Sequence, residues 1–141
     1  MHVRITRTRP DAALPEYKTP GAVCFDIVCV EDIVLEPKSM ADLPTGLVFG
    51  IPEGYMLLVA SRSSTPKKGV QLPHGIGIID QDYCGPEDEL KLRVMNFTDA
   101  PVEIKKGDRV CQAGFVRIDR AVWDEGPALT DKTRGGFGTT G

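Results

Sequence analysis

The chain has 141 residues. That is one domain's length, and a chain of this size buries roughly 70% of its unfolded surface, enough for a hydrophobic core. Hydrophobic residues are 41% and charged residues 26%, a globular balance, and the formal net charge of −3 lacks the basic surplus of a binder of nucleic-acid polymers.

In chain order, Met1-His2-Val3-Arg4-Ile5-Thr6 has no apolar leader region, and Val3 to Thr6 alternates as a strand does. Residues 23–30 form a largely apolar run interrupted by Asp26. Ile33-Val34-Leu35 and Leu47-Val48-Phe49 are short apolar runs, the second closed by a Gly-Ile-Pro-Glu-Gly turn. Residues 55–60 read as a buried strand. Leu90 to Met95 alternates, Val102-Glu103-Ile104 precedes a Lys-Lys-Gly-Asp turn, and residues 111–118 read as a further strand. The 15 Gly and 11 Pro punctuate these runs, and no window keeps helical periodicity beyond about two turns. This pattern predicts an all-β sandwich or barrel in a single domain. Residues 1–129 are its core. Residues 130–141, with four Gly around Phe137, are expected to form a mobile tail suited to closing over a planar, anionic ligand.

No stretch reaches roughly 18 apolar residues, so no membrane span is predicted. The cysteines Cys24, Cys29, Cys84 and Cys111 make no CxxC pair and have no metal-ligand spacing with His2 or His74. Reduced thiols in a cytoplasmic protein are the expected state, not a zinc site.

Four segments carry candidate chemistry. Arg62-Ser63-Ser64, ahead of Gly69, offers a guanidinium and hydroxyls fit for phosphate oxygens, although a polar turn after a strand has the same composition. In residues 74–85, Asp80 and Asp82 are two apart and would share one face of a strand, beside Ile79 and Tyr83. One of them can serve as general base for water, and an Asp-capped hairpin with a core tyrosine fits equally. Asp26, inside an apolar run, requires a partner. Arg109 and Gln112 follow a turn and by themselves mark only a strand start.

Taken together in order, these segments resemble the trimeric dUTP pyrophosphatase family over nearly the whole chain. Five short motifs have counterparts: residues 21–27 with Asp26, Arg62-Ser63-Ser64 with Gly69, residues 77–85, residues 107–112, and residues 134–141. The resemblance implies a jelly-roll-like β-barrel, a homotrimer with shared sites, and Mg²⁺-dependent hydrolysis of dUTP to dUMP and pyrophosphate. It implies that Asp80 orients the attacking water and acts as general base, and that Tyr83 stacks on deoxyribose. The backbone of residues 74–79, including His74, Gly77 and Ile79, would read uracil. Arg62, Ser63, Ser64, Arg109 and Gln112 would hold the triphosphate. Phe137 would cover the base, with Arg134, Gly138, Thr139 and Thr140 near the γ-phosphate, while Asp26 and Asp82 support the site. Mg²⁺ would ride on the phosphates through water, with no protein ligand.

The chain departs from the family pattern at several positions. His74 replaces the usual Asn and could alter base selectivity; as a turn residue it could equally act through its backbone alone. Cys24 replaces a small Gly and is expected to fill core volume. Cys84 is expected near solvent. Residues 85–89 lengthen the exit from the third motif and read as a solvated acidic loop. The fifth motif is shorter than its common form, so Lys132 competes with Arg134 as the tail cation. Two other functions share the fold: a dCTP deaminase, which would need a base-site Glu and would release ammonia, and a non-catalytic binding module, which should lack Asp80, Tyr83 or Phe137.

Overall fold

A computed structural model describes residues 1–136 and 138. Eleven strands appear among them: β1 (Arg4–Arg7), β2 (Phe25–Val28), β3 (Ile33–Leu35), β4 (Met40–Pro44), β5 (Leu47–Gly50), β6 (Tyr55–Ser61), β7 (Val70–Gln71), β8 (Ile76–Ile79), β9 (Lys91–Asn96), β10 (Val102–Ile104) and β11 (Arg109–Arg117). The only helical element described is one 3-10 turn, Thr65–Lys68. All strand pairings are antiparallel, in four sheets ordered β1-β5, β10-β3, β2-β11-β6-β8 and β4-β9-β7. No described helix is long and apolar enough to cross a membrane.

The inward faces follow the sequence alternation. Leu57 and Val59 of β6 and Leu92 and Val94 of β9 are buried, and they join Phe25, Ile27, Leu35, Leu43, Ile104 and Ala113 in one core. The pattern continues into Asn96, a polar residue at a fully buried position. Its amide donates to the carbonyls of Leu35, Glu36 and Ala100, and its oxygen accepts from Thr98, so no polar atom is left unpaired there.

Two strands escape the sequence pattern. In β4 only Leu43 is buried, so no alternation marks it, and β7 has two residues. The third-motif segment also differs from a hairpin. β7 pairs with β9 whereas β8 pairs with β6, so residues 72–75 form a turn that carries the chain from one sheet to another.

In β11 two neighbouring residues, Val110 and Cys111, are both buried, against the period of two. The cause is a bulge: the β2 register runs Arg109↔Val28 and then Cys111↔Ile27, leaving Val110 without a partner. The bulge turns Arg109 outward at the start of the strand that carries Gln112.

Candidate functional site

The first cleft, about 280 Å³, lies where β2, β11 and the end of β6 meet. Across the sheet, Asp26 stands opposite Gln112, and Gln112 opposite Ala60. This register brings together residues 26, 62 and 109, which are far apart in sequence. The Asp26 carboxylate, 13% exposed, takes Arg62 Nε at 2.8 Å on one oxygen and Arg109 Nη1 at 3.0 Å on the other. Arg62 Nη1 also donates to the Arg109 carbonyl at 3.1 Å, and Gln112 Nε2 donates to the Ser61 carbonyl at 3.2 Å. Ser63, Cys24, Ala22 and Lys18 complete the lining. Ser64 is set back from this lining, half-buried at the start of the 3-10 turn, with its Oγ 3.5 Å from Arg62 Nη1. One carboxylate against two guanidiniums leaves a net positive, donor-rich surface, the chemistry of an anion clamp.

Gly69 ends the 3-10 turn with φ of +83°, and a Cβ there would meet Thr98 Cγ2 at 2.8 Å and Val102 Cγ2 at 2.9 Å. The second-motif glycine is therefore required both for its backbone angle and for its close approach. Nearby, Asp108 caps the β10–β11 turn. Burial opposes its ionisation, but Lys68 and the Lys105 amide outweigh this and hold its carboxyl below the usual range.

A second cleft, about 550 Å³, opens at the β8 edge between Pro73, His74, Ile79, Tyr83, Leu90 and the Arg93–Asp42 pair. The Tyr83 hydroxyl donates to the Glu89 carbonyl at 3.1 Å, which fixes a ring that is still 42% exposed. His74 folds back over β8, its Nε2 3.6 Å from where a Cβ on Gly77 would be, and Gly77 itself lies against Val59. Asp42 and Arg93, cross-strand partners on β4 and β9, pair through two contacts of 2.7 Å.

Asp80 and Asp82 lie beyond the end of β8, in a turn, so strand alternation does not place them. The turn nonetheless puts both on one cleft with Tyr55, Gln81 and Arg120. Gln81 Nε2 donates to the Tyr55 carbonyl at 2.9 Å and anchors the turn to β6. Asp80 is exposed, and its carboxylate has no protein partner among the described residues.

The anion clamp and Asp80 stand at opposite ends of β6. Ile79 pairs with Leu57, so Asp80 continues to the level of Met56, whereas Arg62 follows Ser61. At ~3.4 Å per residue that separation is about 20 Å, longer than a triphosphate.

The other expectations resolve as follows. Cys24 does not simply fill core: it is half-buried, forms part of the clamp wall, and lies against Gly114. Residues 85–89 are not a merely solvated loop. Asp88 accepts from the Gly85 amide at 2.7 Å and Glu89 from the Gly46 amide at 2.6 Å, so two of the three carboxylates cap backbone donors. Arg134 is exposed, and Gly138 has φ of +87°. Phe137, Thr139 and Thr140 lie outside the described residues. Sequence reasoning missed Lys18, which reaches the clamp from an irregular segment where no spacing rule applies. Among the described residues, no three His, Cys, Asp or Glu side chains converge on a metal position.

The dUTPase family model matches residues 10–141. The chain belongs to the dUTPase family. A deoxyuridine 5'-triphosphate nucleotidohydrolase from Hydrogenobaculum sp. is 38% identical, covering 100% of this chain and 99% of its own length. Among solved structures, the dUTPase from Streptococcus mutans superposes with a TM-score of 0.80 at 26% identity, over 87% of this chain and all of its own. A Staphylococcus bacteriophage 80alpha dUTPase solved with dUPNHPP reaches 0.81 at 24% identity, over 99% and 98% of the two chains, which shows the common fold.

Proposed function

We propose that the protein hydrolyses dUTP to dUMP and pyrophosphate. The observation that carries this is the clamp of Arg62, Arg109 and Gln112 around Asp26, in a dUTPase-family chain that also keeps Asp80 and Tyr83. Arg62, Arg109, Gln112 and Ser63 hold the triphosphate by charge-assisted hydrogen bonds. The fixed Tyr83 ring lies flat against deoxyribose and leaves no room for a 2′-hydroxyl. The β8 backbone, with His74 folded over Gly77, reads the uracil edge. Asp80 accepts a proton from water as the water attacks the α-phosphorus in line with the departing pyrophosphate.

The roughly 20 Å between clamp and Asp80 supports sites shared between copies, as in a homotrimer, because no single dUTP spans that distance on one chain. The segment after β11 supports the same reading: Val122, Trp123 and Leu129 are 95%, 91% and 100% exposed and favour burial against another copy. The chain after residue 130 closes the site with Arg134 near the phosphates.

The donor set fits Mg²⁺ that arrives on the nucleotide, since the clamp's carboxylate is already committed to two arginines. Carried there on the nucleotide held by Arg62 and Arg109, Mg²⁺ would supply charge neutralisation for the leaving pyrophosphate.

The test is incubation of the protein and Mg²⁺ with dUTP, dCTP, dTTP or UTP separately, following pyrophosphate and ammonia. Pyrophosphate from dUTP alone is expected. Ammonia from dCTP, or no turnover by a folded protein that still binds nucleotide, would overturn the proposal.

A further inference from the structure

Thr65 is a polar residue 1% exposed, between the clamp and the core. Its hydroxyl accepts from the Arg62 backbone amide at 3.0 Å and donates to the Val110 carbonyl. Val110 is the bulge residue. It has no register partner on β2, and the β6 register begins only at Cys111, so its carbonyl is left to the Thr65 hydroxyl. The two residues Thr65 joins are Arg62 itself and the immediate neighbour of Arg109. Its own amide donates back to the Arg62 carbonyl at 3.0 Å, which closes the turn. One buried hydroxyl thus ties the backbone beneath one guanidinium to the backbone beneath the other.

We infer that Thr65 is a positioning residue for polyphosphate binding, setting the spacing of Arg62 and Arg109 through hydrogen bonds at both ends of its hydroxyl. This deepens the proposed function and rests on the clamp being the phosphate subsite. Thr65 does not touch the ligand. Asp26 holds the two guanidiniums from the cleft side, and Thr65 holds their main chains from the core side. Valine at this position would keep the shape but leave a part-buried amide and a buried carbonyl unpaired, and the Arg62 turn would shift to find new partners. A shift near 1 Å in a bidentate clamp can cost about 100-fold.

The experiment measures binding of inorganic tripolyphosphate by calorimetry, and dUTP turnover, for the wild type, Thr65→Val and Thr65→Ser. All are measured well below their melting midpoints, with the β-sheet circular dichroism signal checked. Thr65→Val is expected to weaken tripolyphosphate binding about 10- to 100-fold and to raise KM for dUTP, while Thr65→Ser, which keeps the hydroxyl, stays near wild type. A purely structural role would lower the melting point of Thr65→Val without changing affinity in the folded state. That result, or a folded Thr65→Ser as weak as Thr65→Val, would overturn the inference. If Thr65→Val does not fold, Thr65→Ser decides: wild-type affinity supports the hydroxyl's role, and loss of affinity refutes it. A wild type that binds tripolyphosphate but does not hydrolyse dUTP would sink the proposed function and leave the Thr65 comparison intact.

Discussion

The anion clamp and the β8 edge are built in opposite ways. The clamp joins three adjacent strands of the four-stranded sheet, β2, β11 and the end of β6, and its groups restrain one another: Asp26 binds both arginines, Arg62 reaches the Arg109 carbonyl, and Thr65 ties down the backbone. The β8 edge holds Asp80 and Tyr83 on a turn at the sheet margin, attached by Gln81 to Tyr55 and by Tyr83 to Glu89, with the Asp80 carboxylate free in solvent. An anion clamp gains from being rigid before its ligand arrives, because preorganised donors need no reorganisation. A general base needs a water beside it and takes its final geometry in the substrate complex.

If that contrast is right, substitutions in the two regions separate activity from stability. Asp80→Asn should lower dUTP turnover by about 10²–10⁴ and leave tripolyphosphate binding unchanged. Its melting point should stay within about 2 °C of wild type, since an exposed, unpartnered carboxylate contributes little to stability. A large loss of stability in Asp80→Asn would mean that the edge is as tightly built as the clamp.

Asp26→Asn should cost stability as well as tripolyphosphate affinity. It removes a carboxylate that satisfies two guanidiniums, with side chains 27% and 45% exposed. Allowing for that exposure, the cost is about 1–2 kcal/mol, or a fall of about 3–8 °C in melting point. Scanning calorimetry of the two variants side by side makes the comparison directly.

The same contrast explains what could be read from the amino-acid sequence. Strands with one buried face, such as β6 and β9, are legible from alternation, and Asp26 in an apolar run demanded the partner it has. The bulge at Val110 is not legible, because two adjacent buried residues look like any apolar pair until the β2 register is known. Lys18 reaches the clamp from a segment with no periodicity. Asp80 and Asp82 share a cleft, as read, but a turn places them there. In the acidic run, what decides the fate of Asp88 and Glu89 is which backbone amides lie near, a tertiary fact. Family resemblance supplied the roles that spacing alone left open.

Away from both regions, Asp11 joins the N-terminal turn to the β10–β11 turn, accepting from Lys106 Nζ at 2.6 Å and Arg9 Nε at 2.8 Å. The Lys106 and then the Arg9 hydrogen bonds lower its pKa from 3.8 to about 2. A carboxyl with a depressed folded pKa contributes stability above its unfolded value and loses it as pH falls through the folded value. The melting point should therefore drop between about pH 4 and pH 2, and Asp11→Asn should show a shallower drop over that window. Asp32, Asp42 and Asp108, lowered by their own partners, should keep part of the slope. An identical slope in Asp11→Asn would remove Asp11 from the account.

The smallest effect uses the cysteines as reporters of the two regions. Cys84 is exposed next to Tyr83, and Cys24 is half-buried in the clamp wall. Burial pushes the Cys111 thiol up to about 12 and raises that of Cys29, so both should resist alkylation in the native state. With iodoacetamide under native conditions, Cys84 should label first and Cys24 more slowly. Tripolyphosphate should slow labelling of Cys24 and leave Cys84 nearly unchanged, because it fills the clamp but lacks the deoxyribose and base that would cover the β8 edge of a neighbouring copy. Equal protection of both thiols would place the two regions of neighbouring copies around one ligand, and peptide mass spectrometry of each thiol distinguishes that outcome from occupancy of the clamp alone.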